Sequence, residues 1–227
     1  MDTKQRKSIR KERFVLYLDI MGFKERVNRV EIEELREQLL RFKTKNKKLK
    51  PLLESKANTL IYMAQFSDSI VLVSRDTTID DLNRISKAAS ILMQTALQTG
   101  FALRGAIAKG HMIFDNEQQL FFGKALVDAY LLEEELCYYG VVFHESMEEI
   151  ILEALSQKPD MPIEDISIPL KKGKSKHYHI AWQKITALLQ KGDITSQALD
   201  WLKDIRKTVS GNPRVYLDNT VNIIEQE

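Results

Sequence analysis

Residues 14–20, Phe-Val-Leu-Tyr-Leu-Asp-Ile, are apolar with one interruption, the pattern of a strand buried on both faces. Gly22 follows and permits a tight turn. Over residues 31–48, Ile32, Leu35, Leu39, Leu40 and Phe42 recur at helical spacing among charges and predict an amphipathic helix. Its basic tail, Lys43 to Lys50, is ended by Pro51. Residues 58–66 and 69–74 predict a hairpin with Phe66-Ser67-Asp68 at its turn. Ile79, Leu82, Ile85, Ala89, Leu92 and Ala96 predict a helix over 79–98, capped by Thr78 and stopped by Gly100. A strand is expected at 101–108, a break at Gly110, and a second pairing over 111–122 around Asp115-Asn116. A helix over 124–137 and a short strand at 140–144 follow. This order implies an α+β architecture, with helices on one face of a mostly antiparallel sheet. The last third reads as a helix at 146–156 and a loop at Pro159 and Pro162. Next come a β-pair at 166–170 and 176–182 joined by Lys171 to Lys174, and helices at 195–209 and 213–225. No internal repeat or low-complexity segment is visible.

The chain has 227 residues, 44% of them hydrophobic, enough for one domain with an appendage. Charged residues make up 29% and leave a net charge of +2, so composition points to neither nucleic acid nor membrane. The basic stretch Lys4 to Arg13 reads as a solvated, frayed terminus. One cysteine, Cys137, excludes an intrachain disulfide; it reads as a small core residue and fits a reducing compartment. With no apolar leader and no run of about 18 apolar residues, a cytoplasmic protein is expected.

Two acids interrupt the apolar pattern where acids are costly. Asp19 stands at the end of the first strand and Asp68 at the hairpin turn. A carboxylate at such a place needs a partner, a hydrogen bond or a metal. If the two strands are neighbours, both acids can reach one divalent cation, Mg²⁺ or Mn²⁺, bound with a triphosphate. The turn at Gly22-Phe23 can offer backbone N–H groups to an anion. The alternative is that Asp19 caps a helix and Asp68 closes a turn. Arg104, in the small-residue strand Arg104-Gly-Ala-Ile-Ala-Lys-Gly110, can meet a phosphate or sit in a structural ion pair. Glu133 to Glu135 read as a solvated or capping face of their helix. His177 and His179 alternate on a strand without a third ligand nearby, and read as structural. No P-loop, Gly-x-Ser-x-Gly elbow or metal-type cysteine spacing is present.

Four blocks in order carry a resemblance: Leu18-Asp19-Ile-Met-Gly22-Phe23, Phe66-Ser67-Asp68-Ser69-Ile70, Arg104 to Gly110, and Gly123-Lys-Ala125-Leu-Val-Asp-Ala129-Tyr-Leu-Leu-Glu133. Together they resemble the class III nucleotidyl cyclases, most closely the bacterial pyrimidine cyclases of the antiphage Pycsar system. The resemblance covers residues 12–145 and continues weakly at Arg214-Val-Tyr216 and Asn222. It implies a ferredoxin-like catalytic core at 12–145, with 146–227 as a C-terminal extension packing on it. It implies a head-to-tail homodimer with its sites at the interface. Two Mn²⁺ or Mg²⁺ ions per site would be held by Asp19, Asp68 and the Ile20 carbonyl, and Gly22 and Phe23 would bind the triphosphate. The reaction would be attack of the ribose 3′-oxygen on the α-phosphorus.

Departures from the purine-specific cyclases shape the substrate expectation. Their base-reading lysine falls near Ala64 and their second base-reading acid at Leu120. Their transition-state Asn and Arg fall at Val127 and Leu131, leaving Arg104 or Lys109 to supply charge. The Pro-Arg-Ile-like strand of the pyrimidine branch reads here Tyr139-Gly-Val-Val142. These losses point away from ATP and GTP and toward UTP, with CTP second, and toward a cyclic nucleotide read by a separate effector. A catalytically degenerate nucleotide sensor is the alternative, and a polymerase-like palm is disfavoured by size and charge.

Overall fold

The apolar run at 14–20 forms the inner part of β1 (Arg10–Ile20), whose neighbours on either side explain its near-continuous hydrophobicity. The computed structural model describes residues 10–55, 58–115, 118–184, 194–207 and 209–226. After β1 come α1 (Phe23–Arg29), α2 (Ile32–Lys45), a 3-10 turn and the short α3 (Lys50–Leu53). A two-stranded ribbon, β2 (Glu54–Ser55) and β3 (Asn58–Thr59), leads into the hairpin β4 (Ile61–Phe66) and β5 (Ser69–Ser74). Then follow α4 (Ile79–Gln98), β6 (Leu103–Asp115), β7 (Leu120–Gly123), α5 (Lys124–Glu135) and β8 (Val141–Phe143). The last third holds α6 (Glu148–Gln157), β9 (Ile163–Leu170), β10 (Gly173–Ile180), α7 (Ile194–Arg206) and α8 (Asn212–Gln226).

Among the described residues, the strands other than the β2–β3 ribbon form one eight-stranded sheet in the order β4-β5-β1-β6-β8-β10-β9, with β7 also paired to β6. Every named pairing is antiparallel except β6 with β8. The first part is a ferredoxin-like unit: strand β1, crossover helices, hairpin β4–β5, helix α4, and β6 returning to the other side of β1. The β-pair expected in the last third, β9–β10, is hydrogen-bonded to β8 and so widens this same sheet.

Side-chain alternation divides β1 between two faces. Phe14, Leu16, Leu18 and Ile20 enter the large core beneath α4, which also takes Leu82, Ile85, Ala89 and Leu92. Val15 faces the other way, into a smaller cluster with Val73, Met112 and Ala125 of α5. The sheet is mostly antiparallel, as expected, and most of the helices cover one face; α5 lies on the other, where Ile223 of α8 also packs against Ala106 and Val142. Its seat depends on small residues, since Ala125 and Ala129 are fully buried. Where β1 and β6 cross, Gly105 serves the same end: a Cβ there would lie 2.3 Å from the Tyr17 carbonyl oxygen.

Four local expectations are corrected. Gly110 does not break its strand, because β1 pairs along β6 from Arg10↔Ile113 to Ile20↔Leu103 and carries it through. Pro51 starts a helical turn rather than ending one, since its missing N–H is not needed at that position. Of the basic stretch at 4–13, residues 4–9 lie outside the described residues. Arg13 is no frayed terminus: it is buried, donates to the Ser74 and Arg75 carbonyls at 2.9 and 3.1 Å, and stacks over Tyr62. Cys137 lies just beyond α5 and is half-buried rather than a core residue. The turn residue Asn116 lies outside the described residues. Among the described residues no helix is long and apolar enough to cross a membrane.

Candidate active site

Asp19 takes its position from the alternation of β1. It shares the α5 face with Val15 and Tyr17, and it is the penultimate residue of the strand. Across the two ladders it stands opposite Ser69 of β5 and Arg104 of β6. Asp68 is brought there by the hairpin. Phe66 pairs with Ser69, leaving Ser67-Asp68 as a two-residue turn with Ser67 in the left-handed region at φ 55°. The turn is tied to the end of β1, where the Ile20 N–H donates to the Asp68 carbonyl at 2.9 Å. The next amide, Met21, donates to the Ala102 carbonyl at 2.9 Å, which ties the same strand end to the stretch before β6. The sequence-predicted acids therefore meet, 49 residues apart in sequence, at one corner of the sheet.

Their electrostatics follow from that meeting. Burial pushes the Asp19 carboxyl up to about 6, the charge of Asp68 adds to the rise, and Arg104 opposes it. Among the described residues neither carboxyl group has a hydrogen bond or ion pair, and Arg104 across the strand opposes the Asp19 charge only at a distance. Two carboxylates brought to one corner are oxygen donors of the kind a hard divalent cation takes. No group of three or more His, Cys, Asp and Glu side chains converges as a ready-made cage among the described residues. Any ion here would need further ligands from solvent, backbone or a phosphate.

Beside the acids, Gly22 turns the chain at φ 72°, and a Cβ added there would meet nothing within 4 Å. The backbone at Gly22 is thus approachable from outside. Phe23 opens α1, so its N–H has no intrahelical acceptor. The Tyr17 hydroxyl bonds the Ser69 hydroxyl at 2.8 Å, and the Tyr17 ring meets Tyr130 of α5 edge-on at 5.4 Å. Lys109 lies further along β6, opposite Phe14, with its N–H bonded to the Ser146 hydroxyl at 2.9 Å.

Arg104 is bound within the protein. Its Nε donates to Glu133 Oε1 at 2.5 Å, its Nη1 donates to the Leu136 carbonyl at 2.9 Å, and its guanidinium lies 5.7 Å from the Tyr216 ring centroid. Of the two sequence readings of Arg104, the structural ion pair is the one formed. The reading of Glu133 as a solvated residue is corrected: only 2% of it is exposed. Burial pushes its carboxyl up, Arg104 pulls it back, and the charges of Asp19 and Glu134 push in the same direction as burial. The signal was present in the sequence, because Glu133 continues the Ala125–Ala129 stripe at four-residue spacing. The helix face that needs small residues for close packing is also the face that carries this acid inward.

The outer face of α5 is apolar. Val127, Tyr130 and Leu131, at helical spacing, are 53%, 40% and 54% exposed, and Phe66 at the hairpin turn is 86% exposed. Ala64 of β4 pairs with Val71, and Leu120 is exposed on β7. His179 is buried in β10, opposite Val142 and outside the Asp19 corner.

Comparison with known proteins places the fold. No protein-family model and no curated protein sequence matches the chain. Among solved structures it is similar to the catalytic core of a rhodopsin-guanylyl cyclase with converted specificity, in complex with ATPαS. The TM-score is 0.54 at 15% identity, over 75% of this chain and 97% of that one. It is also similar to a bacterial light-regulated adenylyl cyclase, with a TM-score of 0.52 at 11% identity. That match covers 88% of this chain and 57% of the other, so the chain spans little more than half of that protein. The architecture is therefore the class III nucleotidyl cyclase catalytic fold.

Proposed function

We propose that the chain is a divalent-metal-dependent nucleotidyl cyclase that converts UTP, and CTP less readily, to the 3′,5′-cyclic nucleotide and pyrophosphate. One observation carries this reading: the end of β1 with Asp19 and the hairpin turn with Asp68 meet at one corner of a cyclase-type sheet, and among the described residues no Lys or Arg is bonded to either carboxyl group. The cyclase fold of the two neighbours supports it, one of them being a complex with a nucleotide analogue.

In this reading Asp19, Asp68 and the Ile20 carbonyl hold Mn²⁺ or Mg²⁺, which supplies charge neutralisation at the phosphates and acidifies the ribose 3′-hydroxyl. The backbone at Gly22 and Phe23 receives the triphosphate. Arg104, fixed across the strand from Asp19, contributes positive field from within the sheet rather than a contact. The pyrimidine preference rests on Ala64 and Leu120, which offer no polar group to a purine edge. The Val127–Leu131 stripe, on the Asp19 side of the sheet, is the surface that a second copy would cover to complete each site. The core at 12–145 then carries the chemistry, with 146–227 as a packing extension. The cyclic product would serve as a messenger for a separate effector, as the Pycsar resemblance implies.

The test is incubation of the pure protein with each of the four nucleoside triphosphates and Mn²⁺, with chromatographic detection of cyclic products. Cyclic UMP from the wild type and none from Asp68→Ala is the expected result. No cyclic product from any nucleotide contradicts the reading. The second reading, nucleotide binding without turnover, is favoured by the apolar Val127 and Leu131 and by the engagement of Arg104 with Glu133. Metal-dependent UTP binding with no product would select it.

A further inference from the structure

Arg104 and Asp19 are direct cross-strand partners on the same face of the sheet. Side chains so placed have Cβ atoms about 5 Å apart, and opposite charges there normally pair. An arginine paired to Asp19 would occupy with its own charge the position a metal cation needs. The guanidinium is turned elsewhere. Glu133 Oε1 accepts from Nε at 2.5 Å, the Leu136 carbonyl accepts from Nη1 at 2.9 Å, and Tyr216 lies beneath. Glu133 can reach it because α5 sits close to the sheet on Ala125 and Ala129, both fully buried. The pair is itself buried, with Glu133 2% and Arg104 9% exposed, so each charge depends on the other.

We propose that Glu133 is a positioning residue: it holds Arg104 off Asp19 and so leaves Asp19 and Asp68 free to bind a divalent cation. The inference rests on the reading of those two aspartates as cation ligands. Without Glu133, the guanidinium is a buried charge lacking its partner, and the nearest remaining acid on its face is Asp19. A new Arg104–Asp19 pair would compete with the metal.

The experiment is a calorimetric Mn²⁺ titration of the full chain at pH 8, comparing wild type, Asp68→Asn, Glu133→Gln and the double variant Glu133→Gln with Arg104→Met. Wild type should bind Mn²⁺, and Asp68→Asn should bind it more weakly. Glu133→Gln should lose about tenfold or more in affinity, the usual range for residues that orient metal ligands. The double variant should return to the wild-type range, because the competing cation is gone. A merely structural role for Glu133 would not produce that recovery. Wild-type affinity in Glu133→Gln overturns the inference, as does a double variant that has native circular dichroism but stays weak. Should Glu133→Gln fail to fold, the double variant can still overturn the inference by folding and staying weak, since removing both members of a buried ion pair is often neutral. If wild type binds no Mn²⁺, it is the reading of the aspartates that fails. If wild type binds, Asp68→Asn is weak and Glu133→Gln is unchanged, only the role of Glu133 fails.

Discussion

Asp19 sits where folding and function pull in opposite directions. Its carboxyl titrates at about 6 in the fold, against an ordinary value of 3.8. The native protein therefore keeps a proton that the unfolded chain releases. The stability this gives is complete at pH below about 4 and is lost as pH rises through about 6. A shift of that size corresponds to roughly 3 kcal/mol at full strength, and solvent reaching this partly buried position reduces it to about 1–2 kcal/mol. Asp19→Asn, which removes the titration, should thus be more stable than wild type at pH 7 by about that amount and no more stable at pH 4. Urea unfolding of both proteins at the two pH values measures it. Equal stability at pH 7 would mean that Asp19 is not under strain. A residue that weakens the fold at working pH is expected of a binding site, where stability is given up for an unmet charge.

At the scale of elements, α5 has two faces with different work. The inner stripe of Ala125, Ala129 and Glu133 seats it on β1 and β6, and the outer stripe of Val127, Tyr130 and Leu131 is exposed. Other large apolar side chains are exposed too, Ile32 and Leu152 among them, but those of the α5 stripe lie together on the Asp19 side of the sheet, where a contiguous apolar surface marks an interaction site. If a second copy covers it, replacing Val127 and Leu131 together by lysine should convert a sedimenting dimer to a monomer with unchanged circular dichroism. Cyclic nucleotide production should fall with it. A monomeric wild type, or a dimer indifferent to the two lysines, would place the interface elsewhere. The two-faced nature of α5 was only half legible in sequence. Its period was plain, as were those of α4 and β1, because long amphipathic runs are set by burial alone. The inward direction of Glu133 was written only in its four-residue spacing from Ala125 and Ala129, a weak signal against the rule that acids at a helix end are solvated, and the partner on β6 explains it. Likewise Gly110 looks like a break in isolation, and its strand continues because β1 pairs alongside.

At the scale of the molecule, the aspartate corner was the most legible feature, since two acids inside apolar runs have few physical explanations. The role of the last third was the least legible. Strand β10 is largely polar, Gly-Lys-Ser-Lys-His-Tyr-His-Ile, so nothing local tells that β9 and β10 extend the main sheet through β8. Nothing local tells, either, that α8 braces the segment behind Arg104, where Thr220 accepts from the Tyr139 N–H at 2.8 Å and Asn219 donates to the Cys137 carbonyl at 2.8 Å. Such contacts join residues some 80 apart and are fixed by topology, not by pattern. The whole assembly holds one strand end and one hairpin turn together, with a charged pair turned aside behind them. The most direct measurement is a crystal structure with Mn²⁺ and a non-hydrolysable UTP analogue, phased to show anomalous scattering from manganese. The account predicts manganese peaks between the Asp19 and Asp68 carboxylates, with the triphosphate over Gly22 and Phe23. Manganese bound elsewhere, or an Asp19 carboxylate paired with Arg104 in its place, would contradict it.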